Sequence, residues 1–202
     1  QTKRIILSCG VHGNETAPIE ICDDLVKGIL TGALTLAHDV LFLFGNLPAM
    51  DIAERFVEEN MNRLFSGAHS KGEGLVNAER VRAKQLEEAV ASFFEAGEGT
   101  RYHYDLHTAI RASKNEKFAV YPYLHERVHS KGQLAFLAAC GVKTILWSCE
   151  PFKTNEGLDR KKNSCSGFTF LKVLSPVSIQ ILLFRSLAMW PSLALTFQIP
   201  RS

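Results

Sequence analysis

The hydrophobic positions fall into short runs whose period switches between two values. Residues 4–9 form an apolar run around Ile5, Ile6 and Leu7 that stops at Gly10, the pattern of a buried strand. Over 17–30 the period lengthens. Ile21, Leu25 and Ile29 recur every four residues with Cys22 and Val26 beside them, while Glu20, Asp23, Asp24 and Lys27 take the opposite side. This spacing predicts an amphipathic helix with Pro18 in its first turn and Gly32 past its end. Residues 39–44 read as a second strand, closed by Gly45-Asn46. A helix over 77–96 follows, with Val81, Leu86, Ala89, Val90, Phe93 and Phe94 as its apolar stripe and Gly97 as its stop. Strands are predicted at 102–106, 118–123 and 142–147, and a helix at 133–140 before Gly141. This alternation runs to about Ser148 and predicts an α/β layered domain, with a mostly parallel sheet and helices on both faces. In such sheets ligands gather beyond the C-terminal ends of the strands.

Composition changes the picture in two places. Hydrophobic residues at 46% and charged residues at 22% suit one globular domain, and a net charge of +2 argues against a nucleic-acid partner. The five cysteines are odd in number and form no Cys-x-x-Cys pair, so a reducing cytoplasm is expected rather than a disulfide framework. No signal peptide is visible, and the uncharged stretches at 173–184 and 186–200 are too short to span a membrane. The second change is in charge. All 21 acidic residues lie at or before Asp159, whereas 160–202 holds six basic residues and no acid. The chain is therefore divided at about residue 154, into an α/β domain over 1–154 and a tail over 155–202 that reads as divergent or frame-shifted. A strand near 178–184 could still join the sheet, since its length and period permit it.

Candidate chemistry sits at two strand ends. His12 and Glu15 are three residues apart in Gly10-Val11-His12-Gly13-Asn14-Glu15, where a turn can aim an imidazole and a carboxylate at one point. His107, in Asp105-Leu106-His107-Thr108, supplies a third ligand at the end of another strand. Two histidines, one glutamate and an open fourth position form the catalytic kind of zinc site, with one zinc per chain. Asp105 is a candidate partner for His107, its direction left open by strand alternation. The Glu87-Glu88 pair is expected on the solvated face of its helix, Cys9 as an inert core thiol, and His38, His69, His103, His125 and His129 as surface or structural residues.

The segments 10–20 and 105–111 resemble the two signature blocks of the succinylglutamate desuccinylases, which belong with the aspartoacylases in the zinc-carboxypeptidase-like fold. Gly45-Asn46-Leu47-Pro48-Ala49 and Met61-Asn62-Arg63-Leu64-Phe65 resemble two further blocks in the same order, so the resemblance covers about residues 4–151. It implies a three-layer α/β domain with a mostly parallel mixed sheet, expected here to be incomplete at both ends. It also implies zinc-dependent hydrolysis of N-succinyl-L-glutamate to succinate and L-glutamate, the closing step of arginine breakdown by the succinyl route. The partner is then a small acidic amide carrying three carboxylates. Arg63 and Arg111 are the candidate carboxylate binders, because guanidinium grips carboxylate bidentately, and Asn62 can add an amide hydrogen bond. The family's general-base glutamate lies in a Glu-Leu-Gly-Lys-like block downstream of the second signature. No such block follows Thr108 here, so no catalytic base is assigned and impaired turnover is expected. The alternatives are an aspartoacylase- or carboxypeptidase-like hydrolase, and a non-catalytic zinc- or carboxylate-binding domain.

Overall fold

A computed structural model describes residues 2–72, 76–108, 117–121, 130–147 and 178–183. Strand β1 (Lys3–Cys9) pairs in parallel with β2 (Asp39–Phe44) on one side and β3 (Thr100–Thr108) on the other. Strand β6 (Ser178–Leu183) lies parallel beside β3. Strands β4 (Lys117–Tyr121) and β5 (Thr144–Trp147) run together in the opposite direction, β4 antiparallel to β6. The sheet order is β2-β1-β3-β6-β4-β5, so the expected mostly parallel mixed sheet is present and a strand from the tail segment lies inside it.

Side-chain alternation along β1 sorts the core into two layers. Ile5, Leu7 and Cys9 face α1 (Thr16–Leu30) and α4 (Lys131–Ala139), packing with Cys22, Leu25, Leu134 and Leu137. Ile6 faces the other way, onto Ala83, Leu86, Val90 and Phe94 of α3 (Ala78–Glu95) and onto Met61, Leu64 and Phe65. Helices therefore cover both faces, which makes the three layers that the resemblance implies. The predicted helix over 77–96 ends in its two caps: Asn77 Oδ1 accepts from Arg80 N at 2.8 Å, and Ala96 closes the C-terminus.

Two expectations for α3 are corrected. Val81 is not in the buried stripe but 48% exposed, because the face on the sheet follows 83, 86, 90 and 94. Glu87 is not solvated. It is buried, and its carboxylate accepts from the Ser66 and Gly67 amides and pairs with His69 Nε2. A second face of α3 packs on the irregular segment 52–72, and Glu87 points there, while Glu88 faces water beside Lys84. The short helix α2 (Leu47–Asp51) was not predicted; five residues are too few to show a period, although Asn46 caps it and Pro48 lies in its first turn.

The chain leaves β1 for β2 on one side and returns through α3 to β3 on the other. The crevice between the ends of β1 and β3 is thus the point where the winding reverses, the usual ligand position in such sheets. Among the described residues no helix is long and apolar enough to cross a membrane.

Candidate metal centre

After Cys9 the chain turns sharply at Gly10, which takes the left-handed conformation at φ +65°. At Gly13 even a Cβ would overlap the backbone of Ala49 and Met50, so the loop lies directly on α2. The Glu15 amide donates to the His12 carbonyl at 3.2 Å, closing a turn that brings both side chains to one side. Glu15 is also the N-cap residue of α1, where the helix dipole favours a negative charge. The third member, His107, is the penultimate residue of β3, and all three side chains are buried.

His12 Nδ1 lies 2.8 Å from Glu15 Oε1, and His107 Nδ1 lies 3.0 Å from Glu15 Oε2. One potential ligand atom from each of the three residues lies within 4.8 Å of the others. The outer ring nitrogens are engaged as donors. His107 Nε2 meets Asp105 Oδ2 at 2.8 Å, an atom that can only accept when the acid is ionised. His12 Nε2 meets Asn60 Oδ1 at 3.1 Å, and that atom also accepts from the Asn62 amide, which identifies it as the oxygen. With both Nε2 atoms carrying protons, both neutral rings turn a lone pair from Nδ1 towards a carboxylate. Lone pairs facing an acceptor repel unless a cation lies between them, so the cluster requires protons or a metal ion.

The titration behaviour of the metal-free cluster agrees. Burial pushes the Glu15 carboxyl upward, but hydrogen bonds from His107 and His12 hold it well below the usual carboxylate range. Burial pushes His107 downward, yet Asp105 and Glu15 together raise it to about 10. Asp105, despite its burial, is kept below the usual range by His107, His103 and Ser8. In effect a positive charge is trapped where the lone pairs converge.

The predicted substrate residues are placed in part. Asn60, which holds His12, also caps the single 3-10 turn Met61–Arg63. This puts Asn62 and Arg63 next to the cluster along the chain. Asn62 is buried, with its Oδ1 unpartnered among the described residues. Partial desolvation and the like charge of Arg55 lower the pKa of Arg63 from the usual arginine value. Arg111 lies outside the described residues, although Thr108, three positions earlier, donates its amide to Glu15 Oε2 at 2.9 Å.

Four polar residues around the cluster were not singled out as site residues from the sequence. Arg55 reaches Glu15 Oε1 at 3.4 Å, Asn60 orients His12, and Ser8 and His103 bond to each other beside Asp105. A signal existed for Ser8: it is the hydroxyl that interrupts an otherwise apolar strand. None existed for Arg55 or Asn60, whose segment lacks a period.

Comparison with known proteins fits this geometry. The catalytic-domain profile described as succinylglutamate desuccinylase/aspartoacylase matches residues 1–163, twelve positions beyond Pro151 where the recognised motifs stop. The chain is 58% identical over 170 residues to the succinylglutamate desuccinylase of Pseudoalteromonas atlantica, covering 83% of this chain and 49% of that protein. It thus spans about half the length of the curated relatives it matches. Among solved structures, the succinylglutamate desuccinylase of Chromobacterium violaceum superposes with a TM-score of 0.75 at 39% identity, over 98% of this chain and 58% of that one. The enzyme of the same name from Vibrio parahaemolyticus gives 0.77 at 31% identity, over 100% and 67%. The fold is the zinc-carboxypeptidase-like α/β fold expected from the motifs. The chain belongs to the succinylglutamate desuccinylase/aspartoacylase family.

Proposed function

We propose that His12, Glu15 and His107 hold one zinc ion, and that the chain carries the metal- and substrate-binding part of a succinylglutamate desuccinylase. The observation that carries this reading is the convergence of two Nδ1 lone pairs and one carboxylate on a single point, with each Nε2 fixed from behind. Two neutral imidazoles and a carboxylate are a donor set zinc prefers, and the Asp105–His107 contact is the usual support of a metal-bound histidine. Zinc bound there would supply Lewis-acid chemistry, polarising an amide carbonyl and acidifying water.

The residues of the chain account for the rest of the reading. N-succinyl-L-glutamate brings three carboxylates; Arg55 supplies a guanidinium beside the cluster, and Arg63, which feels the charge of Arg55, is the next candidate, with Arg111 and Asn62 as further ones. The names of relatives 53–59% identical to the chain favour this substrate over the aspartoacylase branch. The three cysteines among the described residues, Cys9, Cys22 and Cys140, are free and buried, which suits a reducing cytoplasm. Turnover by the 202 residues is slow in this reading, because no Glu-Leu-Gly-Lys block follows Thr108 and a positioned base contributes about 10²–10⁴-fold.

The same observation favours a second reading, a zinc- and carboxylate-binding domain without turnover. Succinate release from succinylglutamate, measured on zinc-loaded and chelator-stripped protein, decides between them. Slow release that chelation abolishes supports the desuccinylase reading, and binding with no release supports the second. A rate on the order of 10 per second overturns the claim that the base is lacking.

A further inference from the structure

Behind the metal centre lies a buried chain of hydrogen bonds that the binding of zinc does not itself require. Strands β1 and β3 are in register with Ser8 opposite Asp105 and Ile6 opposite His103. Side chains 103, 105 and 107 share one face of β3, because successive residues of a strand alternate. Ser8 Oγ donates to Asp105 Oδ1 at 2.7 Å, and His103 Nε2 lies 2.8 Å from the same hydroxyl oxygen. Ser8, His103, Asp105 and His107 are all buried, His103 completely.

The directions of these bonds follow from the donor inventory. An ionised Asp105 can only accept, so the Ser8 proton is committed to Oδ1. The hydroxyl oxygen can then accept, and only a protonated Nε2 of His103 can give it a proton. His103 Nδ1 is left as a bare lone pair, and it is buried without a partner among the described residues. The sequence is therefore His103 Nε2–H to Ser8 Oγ–H to Asp105 Oδ1, with Asp105 Oδ2 accepting from His107 Nε2–H on the far side. Every bond points at Asp105, and such chains polarise one another in a low-dielectric interior.

We infer that Ser8 and His103 are positioning residues of the metal centre: they clamp Asp105 Oδ1 so that Oδ2 holds His107 with Nδ1 turned to the ion. The inference rests on the metal reading above and deepens it. Without the hydroxyl, Asp105 loses the donor that fixes its rotation, and His103 loses its acceptor. His107 is then free to tilt, and a ligand that must be re-oriented binds more weakly. Residues that support a ligand directly are worth about 10–100-fold in metal affinity; Ser8 acts one bond further out, at the lower end.

The test uses the whole chain and zinc alone. Competition with a chromophoric chelator gives the zinc affinity of wild type, Ser8→Ala and Ser8→Thr. Ser8→Ala is expected to bind about tenfold more weakly, with the visible bands of the cobalt-substituted protein shifted. Ser8→Thr, which keeps the hydroxyl, recovers most of the loss. Long-range proton–nitrogen spectra of zinc-loaded wild type are expected to show His103 and His107 both as Nε2–H tautomers, an arm that needs no variant to fold. Wild-type affinity and an unchanged cobalt spectrum in Ser8→Ala overturn the inference, as does an Nδ1–H tautomer for His103 or a loss that Ser8→Thr fails to rescue. A wild-type chain that takes up no zinc instead overturns the metal reading itself.

Discussion

The two halves of the site are built on different supports. His107, Asp105 and Ser8 stand on adjacent strands, where a parallel ladder fixes each Cα against its neighbour. Arg55, Asn60, Asn62 and Arg63 stand on the segment 52–72, which contributes no strand to the sheet. Buried charged side chains of α3 take the ladder's place there. Glu79 Oε1 accepts from the Val57 and Glu58 amides and from Asn46 Nδ2. Arg80 pairs with Glu59 through Nε at 2.7 Å and donates to the Lys71 carbonyl, and Glu87 holds Ser66 and Gly67. Sheet bonds set position by backbone geometry alone, whereas these contacts each depend on one side chain. The strand-borne half is therefore expected to withstand losses that dislodge the loop-borne half.

The largest effect should come from the metal half. His12→Ala leaves two of the three proposed ligands, so zinc affinity is expected to fall more than about 100-fold, and dialysed protein to lose its metal. Undiminished zinc by metal analysis would disprove the site and remove the basis of the comparison.

Acid should weaken the sheet-borne half through His103. Burial depresses His103 to about 4 from the ordinary 6.5. The unfolded chain takes up this proton below pH 6.5 and the folded chain does not until about 4. The stabilising contribution is thus full above pH 6.5 and lost as pH falls towards 4, at most about 3 kcal/mol over that window. Urea denaturation of wild type against His103→Gln, which cannot titrate, should show the wild type losing more stability between pH 6.5 and 4. Parallel curves would refute the assignment.

Glu79→Ala should dislodge the loop half, and reach the metal centre only through Asn60 behind His12. It strips the acceptor from two backbone amides and a buried amide side chain, at a cost of about 2–3 kcal/mol. Denaturant melts should show the loss, with zinc affinity falling by no more than the roughly 10–100-fold that the missing support of one histidine costs; a fall as large as that of His12→Ala would make the two halves one unit.

The smallest effect belongs to a single arginine. Arg63→Ala is expected to weaken succinate binding by roughly tenfold or more, the value of one charge-assisted contact of about 1.5–3 kcal/mol. Calorimetric titration that gives unchanged affinity would place Arg63 outside the pocket.

What the sequence could reveal follows the range of the forces involved. The strands, α1 and α3 were legible because each writes its own period, and both ends of α3 fell on the predicted residues 77 and 96 as caps. His12 and Glu15 were legible because one local turn joins them, and His107 because it closes a strand. The burial of Glu87 was not, since its helix gave no sign of the segment that packs on its second face. The place of β6 between β3 and β4 was equally hidden, because period and length permit a strand without naming its neighbours.

By itself, then, the sequence determined the layered α/β class, the order of most elements and the places of His12, Glu15 and His107 at the ends of two strands, all of them local periods or local turns. Tertiary structure alone decided which groups face one another. The bond from Ser8 to Asp105 joins residues 97 positions apart and exists only because β1 and β3 pair in one particular register. Asn60 reaches His12 across 48 positions through a segment that α3 holds in place. Hydrogen-bond direction is set at distances below about 3.5 Å, and no sequence period carries information at that scale across such separations.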